Sequence, residues 1–136
     1  MSTTLVATRP APSTAALPYE AASVPAARRM VRMKLLEWEL EALVDDAMLI
    51  VSELATNAVE TGCRTRMVVA LRRPTERLVR IIVADGSRSM PVMIKAGGEQ
   101  TSGRGLAMVH RLTGGRWGTT LHGLGKVVYA DLCTCG

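Results

Sequence analysis

Residues 52–62 read SELATNAVETG, and residues 102–109 read SGRGLAMV. The first stretch places a carboxylate and a carboxamide, Glu53 and Asn57, four positions apart in an apolar helical pattern, so both side chains lie on one helix face. The second stretch is a glycine-rich segment that opens another helix, where backbone N–H groups can receive phosphate oxygens. An acid, an amide and an anion-binding helix start together favour a site for a magnesium-bound nucleotide.

Length and composition limit the class of protein. A chain of 136 residues has room for one domain with one core. No stretch reaches the roughly eighteen unbroken apolar residues of a membrane span, and residues 1–14 lack the basic start and apolar run of a secretory signal. Three cysteines, an odd number without a pairing framework, predict a reducing cytoplasm.

The net charge of +5 could favour nucleic acid as a partner. Most of it is scattered arginine, and two Trp, two Tyr and no Phe leave few rings for base stacking. The composition therefore argues against direct nucleic-acid binding. That hypothesis would require an affinity that falls steeply with salt.

The chain divides into a flexible tail at residues 1–15 and a single domain at residues 16–136. Within the domain, hydrophobic periodicity predicts an edge strand at 16–19, helices at 24–41, 45–62 and 105–113, and strands at 65–72, 78–84, 116–122 and 126–132. Residues 87–104 lack periodicity and are typical of a functional lid. This order predicts an α+β fold, a two-layer sandwich with helices on one face of a mixed, mostly antiparallel sheet.

Three positions carry the chemistry that the residues themselves suggest. Apolar neighbours leave little polar face around Glu53 and Asn57, so we expect the pair at a helix edge beside a cavity. An amide oxygen of Asn57 plus substrate phosphates would suffice for Mg²⁺, and Glu53 could accept a proton from an attacking hydroxyl. Asp85, which ends an apolar strand, forms either a simple Asp-Gly turn or an acceptor for the exocyclic amine of a base.

The motifs ELATNAV, VADG, SGRGLAMV, RWG and GKVVYADL resemble, in this order, the GHKL (Bergerat-type) ATP-binding fold. More narrowly, the chain resembles the stand-alone anti-sigma-factor serine/threonine kinases of bacteria, from about residue 27 to residue 132. The resemblance implies transfer of the ATP γ-phosphoryl group to a Ser or Thr of an antagonist protein, and sequestration of a sigma factor. It also implies a homodimer through the first helix or the sheet edge.

The same resemblance assigns roles to individual residues. Glu53 would be the catalytic base, Asn57 the Mg²⁺ ligand, and Asp85 the acid that reads adenine. The other nucleotide-binding positions that it implies are Ala58, Gly86, Gly103, Arg104, Gly105 and Leu106, of which the last four form the lid hinge and phosphate-binding segment.

The sequence departs from the family pattern in three places. Glu60-Thr61-Gly62 lacks a histidine, Ser87 stands where the broader fold has a glycine, and Val127 follows Gly125-Lys126 where a threonine is usual. These departures favour a second hypothesis beside the kinase, a degenerate module on the same scaffold that binds a partner protein with weak or no kinase activity.

Overall fold

The computed structural model describes residues 13–61, 67–85, 101–122 and 125–134. These ranges contain three α-helices, five strands and one 3₁₀ turn: β1 (Ser13–Leu17), α1 (Ser23–Glu37), the 3₁₀ turn (Glu41–Leu43), α2 (Val44–Thr61), β2 (Met67–Thr75), β3 (Leu78–Asp85), α3 (Thr101–Thr113), β4 (Trp117–His122) and β5 (Gly125–Cys133). Within the described part of the chain, no helix combines the length and apolar character that a membrane crossing needs.

The strands form one sheet in the order β1-β2-β3-β5-β4. All four pairings among the described strands are antiparallel. Both hairpins predicted from the sequence, β2 with β3 and β4 with β5, are confirmed. The α+β two-layer fold is therefore confirmed as well, with β1 as the predicted edge strand beside β2.

The core lies between the helices and one face of this sheet. Along β3, buried and half-buried residues alternate, as expected for a strand with one face against helices. The fully buried side chains come from both layers and include Val31, Leu35, Ile50, Val51, Met67, Val69, Leu71, Val79, Ile81, Val83, Leu106 and Val109. Burying each of these aliphatic side chains contributes on the order of 1.5–3 kcal/mol, and this packing fixes α2 and α3 over the sheet.

Element boundaries differ from the predicted ones where the chain turns. The first helix ends at Glu37 and not near 41, because Glu39 adopts a positive φ of 61° and the Leu40 N–H donates to the Leu35 carbonyl at 2.8 Å. Such a left-handed turn ends a helix. At the other end of the domain, Gly114 and Gly115 have φ values of 64° and 85° and end α3 where the sequence predicted.

Two predictions about segments need adjustment. Residues 13–15, assigned to the flexible tail, belong to β1, while residues 1–12 lie outside the described residues. The third helix begins at Thr101, four residues before the predicted start, so the last part of the expected lid is helical. Residues 87–100 of that lid lie outside the described ranges.

The prediction that the cysteines have no pairing framework is wrong for at least one of them. Cys133, at the end of β5, is disulfide-bonded, although an odd number of cysteines predicted no pairing framework. An odd count leaves one thiol over but does not exclude a pair. The prediction of a reducing compartment therefore loses the support of the cysteine count.

Candidate functional site

The acid of α2 and the glycine-led start of α3 lie in direct contact. A Cβ atom built on Gly105 would overlap the carboxyl group of Glu53, so this carboxyl rests against the backbone of α3. The sequence predicted that these two elements share a site, and the fold brings them together. A larger residue at position 105 would have to displace the end of the Glu53 side chain, so glycine allows this close approach.

The Glu53 carboxyl is partly withdrawn from water. Its Oε2 atom is buried and has no hydrogen-bond partner among the residues that the structure describes. Burial, and secondarily the negative charge of Glu60, raise the pKa of Glu53 from 4.5 to about 7. The charge of Glu60 affects the Glu53 carboxyl because Glu60 lies seven positions, or about two helical turns, further along α2 and therefore on the same face. The carboxyl can thus exchange a proton near neutral pH.

Asn57 lies one turn beyond Glu53 on the same helix and is half-buried. Its amide oxygen is the kind of ligand that Mg²⁺ accepts. The described residues hold no group of three His, Cys, Asp or Glu side chains that could bind a metal by themselves. One amide oxygen suffices for a magnesium ion that phosphate oxygens and water also hold, so Asn57 fits the predicted role of Mg²⁺ ligand.

The other predicted nucleotide-binding residues of α2 and α3 fall into two groups. Gly103 and Arg104 lie in the first turn of α3, where the description extends to the backbone only. Leu106 and Ala58 are each 1% exposed and belong to the hydrophobic core. Their side chains pack in the core between the helices and the sheet, and their contact with a nucleotide stays a prediction.

The contact between Glu53 and Gly105 limits where phosphates can bind. The sequence predicted a triphosphate between the acid–amide edge of α2 and the start of α3. Glu53 and Gly105 touch, so no phosphate fits between these two residues as they stand. The free N–H groups of a helix belong to its first four residues, here 101–104, and phosphates would have to lie there.

Asp85 ends β3 and is not a solvent-exposed turn residue, since it is only 8% exposed. Its neighbour across the sheet is Lys126 of β5, which is 2% exposed. The Lys126 Nζ atom lies 3.1 Å from Oδ2 of Asp85 and 3.3 Å from Oδ1, so one ammonium contacts both carboxylate oxygens. The sequence reasoning missed this pair. The available signal was a charged residue at the end of one apolar strand, Asp85 in β3, and another at the start of its partner strand, Lys126 in β5. The strand register is needed to show that they lie opposite each other.

Of the three departures from the family pattern, the one at Val127 can be placed relative to Asp85. Successive residues of a strand point to opposite faces, so Val127 lies on the face of β5 opposite to Lys126 and pairs with Ala84. A threonine hydroxyl at 127 would point away from the face that carries Asp85. The absence of a threonine at position 127 therefore removes no hydroxyl from the face of the sheet that carries Asp85. Gly86, Gly62 and Ser87 lie outside the described residues.

The fold and these residues define a class of protein. The family profile of the histidine kinase-like ATPase domain matches residues 17–115, and the chain belongs to this family of ATP-binding domains. Its match begins in β1 and ends after α3, and so covers Glu53, Asn57, Asp85 and Gly105.

Among solved structures, the chain is similar to the RsbU and RsbW domains of Rv1364c from Mycobacterium tuberculosis, with a TM-score of 0.66 and 21% sequence identity. The alignment covers 90% of this chain and 31% of that chain. At this identity the similarity concerns the fold. No curated protein matches the sequence significantly.

Proposed function

We propose that the chain binds ATP with Mg²⁺ and transfers the γ-phosphoryl group to a Ser or Thr hydroxyl of a partner protein, as a regulator of the anti-sigma-factor kinase type. The observation that carries this proposal is Glu53. It combines a buried carboxylate oxygen that lacks a partner among the described residues, a pKa near 7 and a position against the start of α3. A partly buried carboxyl with a strongly shifted pKa is typical of a functional site, and a pKa near 7 suits a proton acceptor at neutral pH.

The reaction that these residues support is an in-line displacement. The hydroxyl oxygen of the acceptor bonds to the γ-phosphorus of ATP, the bond from that phosphorus to the β,γ-bridging oxygen breaks, and ADP leaves. The hydroxyl proton passes to the Glu53 carboxylate. When bound, Mg²⁺ neutralises phosphate charge, and Asn57 is the residue that would hold it. The first-turn N–H groups of α3 would bind phosphate oxygens.

Two variants on one helix test the role of Glu53. Glu53→Gln should lower phosphotransfer by about 10²–10⁴-fold while ATP affinity changes little, because only a proton acceptor is lost. Glu60→Gln, an exposed substitution two turns further on, removes only the smaller cause of the raised pKa of Glu53 and should retain most of the activity. Phosphotransfer is measured with γ-labelled ATP and a source-organism lysate depleted of this chain. Calorimetry with and without EDTA gives the ATP affinity.

Binding of ATP is the decisive measurement for the proposal. If the unmodified chain does not bind ATP at millimolar concentration with Mg²⁺ present, the kinase function is wrong. If ATP binds but Glu53→Gln transfers phosphate at the normal rate, Glu53 is not the base. Asn57→Ala should weaken ATP binding in Mg²⁺ and leave the weaker binding in EDTA unchanged.

We further propose a sigma factor, an antagonist protein or both as partners, which implies a cytoplasmic location. The surface of α1 supports a protein partner, because Arg29 and Arg32 are exposed beside Met33, which is 65% exposed. Pull-down of the native partner followed by a phosphorylation assay tests this identity. A homodimer through the first helix or the sheet edge stays a prediction.

A second candidate function is partner binding without catalysis. A surface groove of about 450 Å³ lies between α1 and α2 and is lined by Arg28, Asp45, Met48, Leu49 and Ser52. It joins an arginine to apolar side chains, including Leu49, which is 49% exposed. An acidic, apolar protein segment fits this chemistry. Retained partner binding in a chain that does not bind ATP would favour this candidate over the kinase.

A further inference from the structure

Trp38 places a buried N–H donor at the end of α1. The residue directly follows the helix, is 7% exposed and belongs to the hydrophobic core. Its indole Nε1 atom is buried and has no hydrogen-bond partner in the part of the chain that the structure describes. A buried tryptophan N–H usually has an acceptor, and an apolar ring would fill the same space without leaving a donor. Packing alone therefore does not explain the indole group.

A second buried donor lies on the side chain that packs against this ring. Arg73, near the end of β2, has its guanidinium carbon 5.8 Å from the centroid of the Trp38 ring. Its Nη2 atom donates to the Glu76 carbonyl at 2.9 Å, whereas its Nε atom is buried and likewise has no partner among the described residues. Arg73 reaches the ring because it lies two positions after the buried Leu71, on the helix-facing side of β2. Two buried N–H groups from different elements therefore lie at the same place in the fold.

The same place carries two positive charges. Lys34, one helical turn before Trp38, has its Nζ atom 5.7 Å from the ring centroid. Lys34 also pairs with Glu37 at 3.1 Å, but the Glu37 side chain is 64% exposed, so this pair is weak and Lys34 can exchange it for another anion. No carboxylate of the described residues pairs with Arg73. A water molecule could accept from the two N–H groups, but it would leave both charges uncompensated.

We propose that Trp38, Arg73 and Lys34 form a binding site for a small oxyanion such as phosphate. The indole N–H and the Nε–H of Arg73 donate to oxygens of the ion, and the guanidinium and ammonium groups neutralise its charge. The donors are buried, which favours a small ion over a protein segment, since a segment docks on exposed surface.

This oxyanion site is separate from the candidate nucleotide site. Arg73 lies close to Thr75, which pairs with Leu78 at the start of β3. Asp85 lies at the other end of this eight-residue strand. With a rise of about 3.3 Å per residue, the two ends are roughly 20 Å apart. The inference therefore does not depend on the binding of ATP.

Titration of the unmodified chain with inorganic phosphate, followed by nitrogen-15 NMR, tests the site. The signal of the Trp38 indole N–H should shift saturably, with half-saturation in the millimolar range. Sodium chloride at matched ionic strength should not reproduce this shift. Trp117 is the internal reference, because its Nε1 atom donates to Nδ1 of His110 at 3.1 Å and its signal should stay in place. A Trp117→Phe variant assigns the two indole signals.

Matched variants separate an oxyanion site from a general effect of positive charge. Lys34→Gln and Arg73→Gln should each raise the phosphate concentration at half-saturation at least about fivefold. Arg72→Gln removes the same charge one position away, on the opposite face of β2, and should change that concentration less than about twofold.

Three results would overturn the inference. The first is the absence of a saturable shift of the Trp38 indole signal in the unmodified chain. The second is an equal effect of Arg72→Gln and Arg73→Gln on half-saturation. The third is an exchange signal between the Trp38 indole N–H and water that persists at saturating phosphate, because the acceptor is then a water molecule.

Discussion

Replacing Glu53 by glutamine should stabilise the protein, and the gain should grow with pH. The folded state raises the pKa of Glu53 from 4.5 to about 7. Folding is therefore favoured by this group below pH 4.5, where it is protonated in both states. The contribution is lost as pH rises towards 7, because the unfolded chain ionises first and binds fewer protons. Glutamine is neutral and similar in shape, so it keeps the contribution at every pH.

The size of the effect follows from the pKa. A tenfold change in an acid constant corresponds to about 1.4 kcal/mol, so a rise from 4.5 to about 7 sets an upper bound of roughly 3 kcal/mol. Two effects reduce it. Solvent screens a group that is only partly buried, and the partial positive charge at the start of α3 favours the carboxylate. We therefore expect about 1–2 kcal/mol in favour of Glu53→Gln at pH 8.

Urea unfolding at pH 5 and at pH 8 measures this difference directly. The free energies of unfolding of Glu53→Gln and the unmodified chain should be closer at pH 5 and should differ by about 1–2 kcal/mol at pH 8. Glu76→Gln, in the exposed turn between β2 and β3, is the control and should show no such divergence. If the free-energy difference between Glu53→Gln and the unmodified chain is the same at both pH values, the carboxyl is not held protonated by burial, and the reasoning fails.

Two further pairs of substitutions test side-chain contacts by unfolding free energies. Gly105→Ala should cost about 1 kcal/mol or less, because its Cβ overlaps only the end of the Glu53 side chain, which can move. The added change Glu53→Ala should remove this cost, and costs that simply add would contradict the contact. Asp131→Asn should cost less than about 1 kcal/mol because Arg80 is 40% exposed, whereas Lys126→Met should cost about 3–5 kcal/mol; equal costs would contradict the difference in burial.

Most of the fold could be predicted from the periodicity of the apolar residues in the sequence. The change from a helical to a strand pattern after α2 predicted β2 and β3, and the glycines at 114 and 115 predicted the end of α3. The start of α3 was harder, because Gly103 is a poor helix former and was assigned to the lid, while the helix was predicted to begin at Gly105. Their helical placement depends on a neighbouring helix, since Gly105 is where α3 meets Glu53. That contact belongs to tertiary structure and has no local signal.

The candidate site was predictable in its residues and not in its pairings. The spacing of Glu53 and Asn57 places them one helical turn apart on α2. The partner of Asp85 depends on strand register, which sets Lys126 opposite it from 41 positions away in sequence. The raised pKa of Glu53 depends on how deeply α2 packs, a sum over many contacts that a local pattern does not contain.

Whether the chain is a kinase or a degenerate module depends on whether the departures from the family pattern change the candidate nucleotide site. At Val127 the change falls on the far face of β5, so it removes nothing from the side where Asp85 lies. At the same strand end Lys126 keeps the Asp85 charge compensated. Glu53 also retains a buried oxygen that has no partner among the described residues. A chain selected only for partner binding would be free to lose these buried charges, because apolar replacements are often no less stable. Their presence together, one on α2 and one across β3 and β5, favours a site that binds nucleotide.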